Sequence, residues 1–214
     1  MNKKRLTLTA MVLMAVFSFL GLLALLGNDH ANLTSITLII GIVFYFVTGE
    51  PKEKDSMSLK AVPRLLRDWK LDLLILMPLA MDIICYAIAR RAVPEFLDHL
   101  WNRIDFLSFG TILLLIAELA IAALGEEIAW RGFFQKQLTK SLPLPPALLI
   151  TAVLFAICHF TIDSFAVVLY DLLFIVIDAI FFGLVYRRSN NVIVCTLSHF
   201  LANFISVFAL LLFR

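Results

Sequence analysis

The chain has 214 residues, 62% of them hydrophobic and only 16% charged, with a formal net charge of +2 and a mean hydropathy of +0.96. This composition excludes an ordinary water-soluble globular domain and indicates a membrane protein. So small and dispersed a charge, with no basic patch interleaved with aromatics, also excludes a nucleic-acid binder.

A helix crossing the hydrocarbon needs about 20 apolar residues. The first such segment runs from 6 to 27 behind the basic start Lys3-Lys4-Arg5. It is too long for a signal peptide and lacks a small-residue cleavage site, so it reads as a retained span. Further segments follow at 33 to 49, 71 to 89, 106 to 125 and onward, 147 to 162, 165 to 186 and 191 to 213, the second and fifth being short. Turn formers and charges punctuate them, including Gly27-Asn28-Asp29, Gly49-Glu50-Pro51, Arg90-Arg91, Pro143-Leu144-Pro145-Pro146 and Arg187-Arg188. The expected fold is all-α, a polytopic membrane helical bundle of about seven transmembrane helices. It is read as one membrane domain, with N-terminal helices in 1–105 and a core in 106–214. No internal repeat stands out.

With the N-terminus inside, this topology puts 14 of the 18 basic residues on the cytoplasmic side, as the positive-inside rule requires. The stretch 50–70 becomes the main cytoplasmic loop. It reads either as an amphipathic helix lying on the interface or as a solvated charged linker. Cys85, Cys158 and Cys195 lie in apolar segments without paired short spacing; neither a disulfide framework nor a zinc knuckle is indicated, and they read as packing residues.

Ionisable side chains within spans are costly unless paired or facing a polar cavity, so each is a functional hypothesis. Asp72 sits near an interface. Asp82, Asp171 and Asp178 lack a partner three or four residues away, which suits interhelical hydrogen bonding. A more ordered group begins at Glu126-Glu127, where Glu127 and Arg131 are four apart and adjacent on a helix. Glu126 points about 100° away and stays free for other work. Of four histidines, His30 and His99 fall in expected external loops, while His159 and His199 fall in apolar segments. Asn203 follows His199 by one turn, so its amide can reach that imidazole or a substrate carbonyl. At 1.5 Å per residue, Glu127 lies roughly 14 Å from Lys136, His159 roughly 20 Å from Pro146 and His199 roughly 12 Å from Asn191, depths that allow them to meet.

Two imidazoles and a carboxylate suit activation of water for attack on a carbonyl. In one route Glu126 is the general base for a water also held by His159, with His199 and Asn203 donating to the oxyanion. In another, the same set holds a catalytic zinc. The residues leave both routes open. A cysteine–histidine dyad, Cys195 with His199 or Cys158 with His159, is a third arrangement, but its flanks are apolar and it leaves the glutamates unexplained.

The pattern Glu-Glu-x-x-x-Arg, Phe-x-x-x-His, His-x-x-x-Asn resembles the CAAX protease and bacteriocin-processing (CPBP, or Abi) family of intramembrane proteases, which includes type II CAAX prenyl endopeptidases. Glu126, Glu127 and Arg131 match the first motif, Phe155 and His159 the second, His199 and Asn203 the third. The resemblance covers roughly residues 106–205. It implies an intramembrane endopeptidase acting on membrane-embedded or membrane-tethered, in some members lipidated, peptides. It also implies a water activated by Glu126, with His159 and His199 lining the same cavity and Asn203 supporting the oxyanion. Members are often labelled metalloproteases, so zinc and a metal-independent glutamate mechanism both stand. Bacterial relatives are linked to bacteriocin immunity and peptide processing, which implies a bacterial plasma membrane and leaves the substrate undefined. The alternative is a non-enzymatic transporter or immunity-type binding protein in which the buried acids relay protons or hold a ligand.

Overall fold

A computed structural model of the chain describes residues 3–27, 33–50, 56–104 and 112–213. His30, the loop residues 51–55 with Lys52 and Lys54, and the division at 105/106 lie outside the described residues.

The described residues are helical. In chain order they form α1 (Lys3–Leu26), α2 (Thr34–Val47), the single turn α3 (Val62–Leu65), α4 (Trp69–Ala92), α5 (Phe96–Ile104), α6 (Ile112–Glu127), α7 (Lys136–Leu138), α8 (Leu144–Ile157), α9 (Phe165–Ser189) and α10 (Val192–Phe213). Between α6 and α7 the chain continues without a break as a π-helical segment, Ile128–Gln135, all eight residues of which are buried.

Local chemistry sets the helix ends. Asp68 caps α4 by accepting from the Lys70 N–H at 3.2 Å, and Ser164 caps α9 by accepting from the Val167 N–H. Pro145 stands in the first turn of α8, where its missing N–H costs nothing. Helix α9 stops at Asn190, whose φ of 46° is the left-handed conformation that asparagine tolerates; Arg187 and Arg188 in the last turn complement the helix dipole.

Four helices, α1, α4, α9 and α10, are long and apolar enough to cross a membrane. Helices α2 and α8 have 14 residues each, about 21 Å of rise against roughly 30 Å of hydrocarbon. Among the described residues, that length is met by four helices. The loop 50–70 contains only short helical turns, Leu59–Ala61 and Val62–Leu65, rather than a continuous amphipathic helix. Its described part is tied down: Tyr45 Oη lies 3.0 Å from Ser56 Oγ, the Val192 N–H donates to the Ser56 carbonyl at 2.8 Å, and the Asn191 amide donates to the Ser58 carbonyl.

Helix α9 is central, with α4 and α8 both packed along it, while α10 packs against α4, α6 and α9. Helix α2 packs on the π-helical segment. One end of the bundle gathers cations and their partners: Lys3 donates to the Thr48 carbonyl, Glu50 pairs with Lys136 at 2.9 Å and Lys140 at 3.0 Å, and Arg188 pairs with Asp68 at 2.6 Å. At the far end of α9 stand His99, Arg103, Asp163 and Asp171.

Close approach of α2 to the π-helical segment depends on Gly41. A β-carbon there would lie 2.5 Å from the Ala129 β-carbon and 2.8 Å from its α-carbon. Gly41→Ala is expected to cost about 1–3 kcal/mol through overpacking. At Gly125 a β-carbon would meet nothing closer than 3.7 Å, so Gly125→Ala should be neutral or slightly stabilising. Thermal unfolding of the two variants in detergent checks the contrast; equal midpoints would refute it.

Candidate active site

The last turn of α6 directs two adjacent carboxylates in different directions. Glu127 is fully buried. Its Oε1 lies 2.9 Å from Arg131 Nη1 and 2.8 Å from His199 Nδ1, and its Oε2 accepts from the Cys195 thiol at 2.8 Å. Arg131, also fully buried, donates through Nη2 to the Ala179 carbonyl at 3.2 Å, and its guanidinium lies 4.5 Å from the Phe155 ring centroid and 5.3 Å from that of Phe182. The four-residue spacing of Glu127 and Arg131 thus forms the ion pair anticipated, although the helix widens to π geometry between them.

Glu126 turns instead toward a cavity of about 360 Å³ lined by residues of α4, α5, α6, α9 and α10 together with Phe155 and His159. Its Oε2 is buried without a hydrogen-bond partner. That oxygen stands 3.8 Å from His159 Nε2 and 3.7 Å from His199 Nε2. Both gaps exceed a direct hydrogen bond and match a small polar group held between the three.

Each imidazole is oriented from behind. His159 Nδ1 donates to the Phe155 carbonyl at 2.8 Å, which explains the four-residue spacing of that motif. His199 Nδ1 donates to Glu127, and its ring stacks on Phe182 with centroids 4.4 Å apart. Both Nε2 atoms are thereby left to the cavity. His159 does not lie inside a helix as expected: α8 ends at Ile157, and His159 sits in the following turn. Asn203 lines the same cavity one turn beyond His199.

The types of donor in Glu126, His159 and His199 are those of a zinc site. Among the described residues, however, no three His, Cys, Asp or Glu side chains are placed as a ligand set.

Of the remaining acids, Asp171 pairs with Arg103 Nη1 at 2.5 Å and lies 3.5 Å from His99 Nε2. Asp82 of α4, Asp178 of α9, Ser206 of α10 and Glu118 of α6 line the cavity, where Asp178 Oδ1 is buried without a hydrogen-bond partner. His99, expected in an external loop, is on α5 and only 4% exposed; its Nδ1 is 2.9 Å from Asp163 Oδ2 and its Nε2 3.1 Å from Thr161 Oγ1. Cys195 faces Glu127 rather than serving a nucleophilic dyad. Its place four residues before His199 was a visible signal; the stacking of Phe182, 17 residues earlier and on another helix, left none.

This is a helical membrane protein whose second half brings Glu126, His159, His199 and Asn203 to one cavity, with Glu127 and Arg131 buried behind it. Residues 108–205, which include all three motifs, match the family model described as type II CAAX prenyl endopeptidase Rce1-like, and this segment belongs to the CAAX protease family. The match supports a CAAX-type membrane protease. No curated protein and no solved structure matches the chain.

Two measurements probe this arrangement. Glu127→Ala leaves Arg131 as an uncompensated buried charge and is expected to cost about 3–5 kcal/mol, whereas Glu126→Ala, which breaks no hydrogen bond, should leave the unfolding midpoint nearly unchanged. Comparable midpoints for both would contradict the division of roles. His99, on the short helix α5 outside the spanning segments, is held above its ordinary value of 6.5, mainly by the Asp171 carboxylate and further by Asp163, against the opposing effect of burial. A raised value means the folded state binds the proton more tightly, so this stabilisation is complete below pH 6.5 and fades as pH rises through the folded value. Thermal midpoints between pH 6 and 9 should fall in the wild type more than in His99→Phe; parallel curves would refute the assignment.

Proposed function

We propose that the chain is an intramembrane endopeptidase that hydrolyses peptide bonds of membrane-embedded or membrane-tethered substrates through a water activated by Glu126. The observation that carries this reading is the unpartnered Glu126 carboxylate, facing two imidazole Nε2 atoms across gaps that fit one water molecule. Glu126 takes a proton from that water while His159 Nε2 holds it, and the water oxygen attacks the scissile carbonyl. The oxyanion is received by His199 and Asn203. His199 is held in place for this purpose by Glu127, which contacts its Nδ1 at 2.8 Å, and by Phe182, which stacks on its ring. The proton on Glu126 then passes to the leaving amine, which restores the carboxylate. Arg131 holds Glu127 and has no contact with the reacting atoms.

In this reading residues 106–214 form the catalytic core, and the helices of 1–105 complete it, Asp82 and Tyr86 of α4 lining the cavity. The cationic end that joins Lys3, Lys136, Lys140 and Arg188 with their partners is the cytoplasmic face, as the positive-inside rule requires. The N-terminus is therefore cytoplasmic.

The test is cleavage of a membrane-tethered reporter by the purified protein. Glu126→Ala and His159→Ala should each lose about 10²–10⁴-fold in rate, and Asn203→Ala about 10²–10³-fold. Cleavage unchanged in the first two variants would sink the assignment. Elemental analysis of active protein after chelation decides the metal question: activity retained without metal excludes zinc, while loss that zinc restores moves the reading to a metalloprotease.

A further inference from the structure

Glu127 is gripped on both oxygens, and the two side chains that α10 contributes to that grip are one helical turn apart. His199 Nδ1 meets Oε1 at 2.8 Å, and the Cys195 thiol meets Oε2 at 2.8 Å. Arg131 shares Oε1 at 2.9 Å, so two donors crowd one oxygen and Cys195 alone is seen on the other. Cys195, Glu127 and Arg131 are all fully buried, and none of the three lines the cavity. No solvent route from that side replaces a lost donor. The thiol has one proton and two acceptors in reach, Glu127 Oε2 and the Phe182 carbonyl at 3.1 Å. The carboxylate is the nearer and carries the charge, which makes it the stronger acceptor.

We infer that Cys195 is a positioning residue: by holding Oε2 of Glu127 it fixes the rotation of that carboxylate, and through Oε1 it fixes the imidazole of His199 in the cavity. The inference rests on the proposed hydrolytic role of His199 for its kinetic consequence, but not for its structural one. Without the thiol the carboxylate turns about its terminal torsion, a broad two-fold rotor. Either oxygen then faces Arg131, and the bond to Nδ1 loosens. His199 keeps its place on α10 but no longer presents Nε2 at one fixed angle. An error of this kind in a group that must meet an oxyanion costs rate rather than substrate binding.

The test compares Cys195→Val, which nearly keeps the volume without a donor, Cys195→Ala, and Cys195→Ser, which keeps a donor. Two readouts are used in the full chain in nanodiscs: kcat and KM on the tethered reporter, and the nitrogen resonances of His199 in protein labelled with ¹⁵N-histidine. The valine variant should lose about 10-fold in kcat with little change in KM, a typical size for removing a supporting hydrogen bond behind a site residue. Its His199 Nδ1–H signal should shift and exchange faster with solvent. Serine should restore both readouts. The alanine variant, should valine not fold, is read the same way. A valine or alanine variant with wild-type kcat and an unmoved His199 signal would overturn the proposal. So would equal losses in valine and serine variants accompanied by equal falls in thermal midpoint, which would make Cys195 a packing residue only. Were the wild type itself to cleave nothing, the hydrolytic reading would fail, and the His199 resonances alone would decide the positioning role.

Discussion

A carboxylate buried beyond the reach of water is tolerable only if donors surround it, and Glu127 meets that condition by drawing three elements together. Arg131 comes from the π-helical continuation of its own helix, while Cys195 and His199 come from α10. Arg131 in turn reaches the Ala179 carbonyl of α9 and lies over the rings of Phe155 from α8 and Phe182 from α9. A buried ion pair is a poor source of net stability, but one that loses a member leaves a charge with no compensation. Its value here is positional. The three helices that bear the motifs, α6 with its π-helical continuation, α8 and α10, together with α9, can satisfy these groups in one relative arrangement, and that arrangement also brings Glu126, His159 and His199 to a common cavity.

Adjacent glutamates therefore divide two tasks. The roughly 100° between successive residues on a helix sends one carboxylate into protein and the other into the cavity. The inward one is saturated with donors and serves as a fixed negative charge behind His199. The outward one keeps an oxygen without a hydrogen-bond partner and faces the cavity, as the proposed activation of water requires. His159 is fixed by a simpler device, its own backbone four residues back, while His199 is fixed by a side chain on another helix. The two imidazoles thus differ in electrostatic setting: only His199 has a carboxylate in direct contact with its far nitrogen.

Away from the motifs the same physics repeats at lower stakes. Asp171, Arg103, His99 and Asp163 tie α5 to the start of α9, and because Phe96, Leu100 and Arg103 line the cavity, that tie also closes one of its walls. Asp82 and Asp178, with Ser206, bring polar groups of α4, α9 and α10 to the cavity wall. Of the acids that first suggested a proton relay or a transported ligand, Asp171 is accounted for by Arg103 and His99. Nothing in the geometry favours the transporter reading.

Much of this was legible in residue order. Hydropathy marked the helical segments because a membrane offers no other solution to backbone hydrogen bonding than closing it within the segment. The spacing of Glu127 with Arg131 and of Phe155 with His159 announced local contacts that form, whereas Asn203 lines the cavity beyond His199. Contacts between helices have no period to betray them. Tertiary structure alone decided that His159 lies past the end of α8, that His99 is buried against Asp163 and Asp171, that Phe182 stacks on His199, and that the thiol of Cys195 closes on Glu127. Among the described residues four helices have the length to span, whereas α2 and α8 have 14 residues each. Periodicity carries the chemistry of one helix, and only packing determines which side chains from separate helices share a cavity.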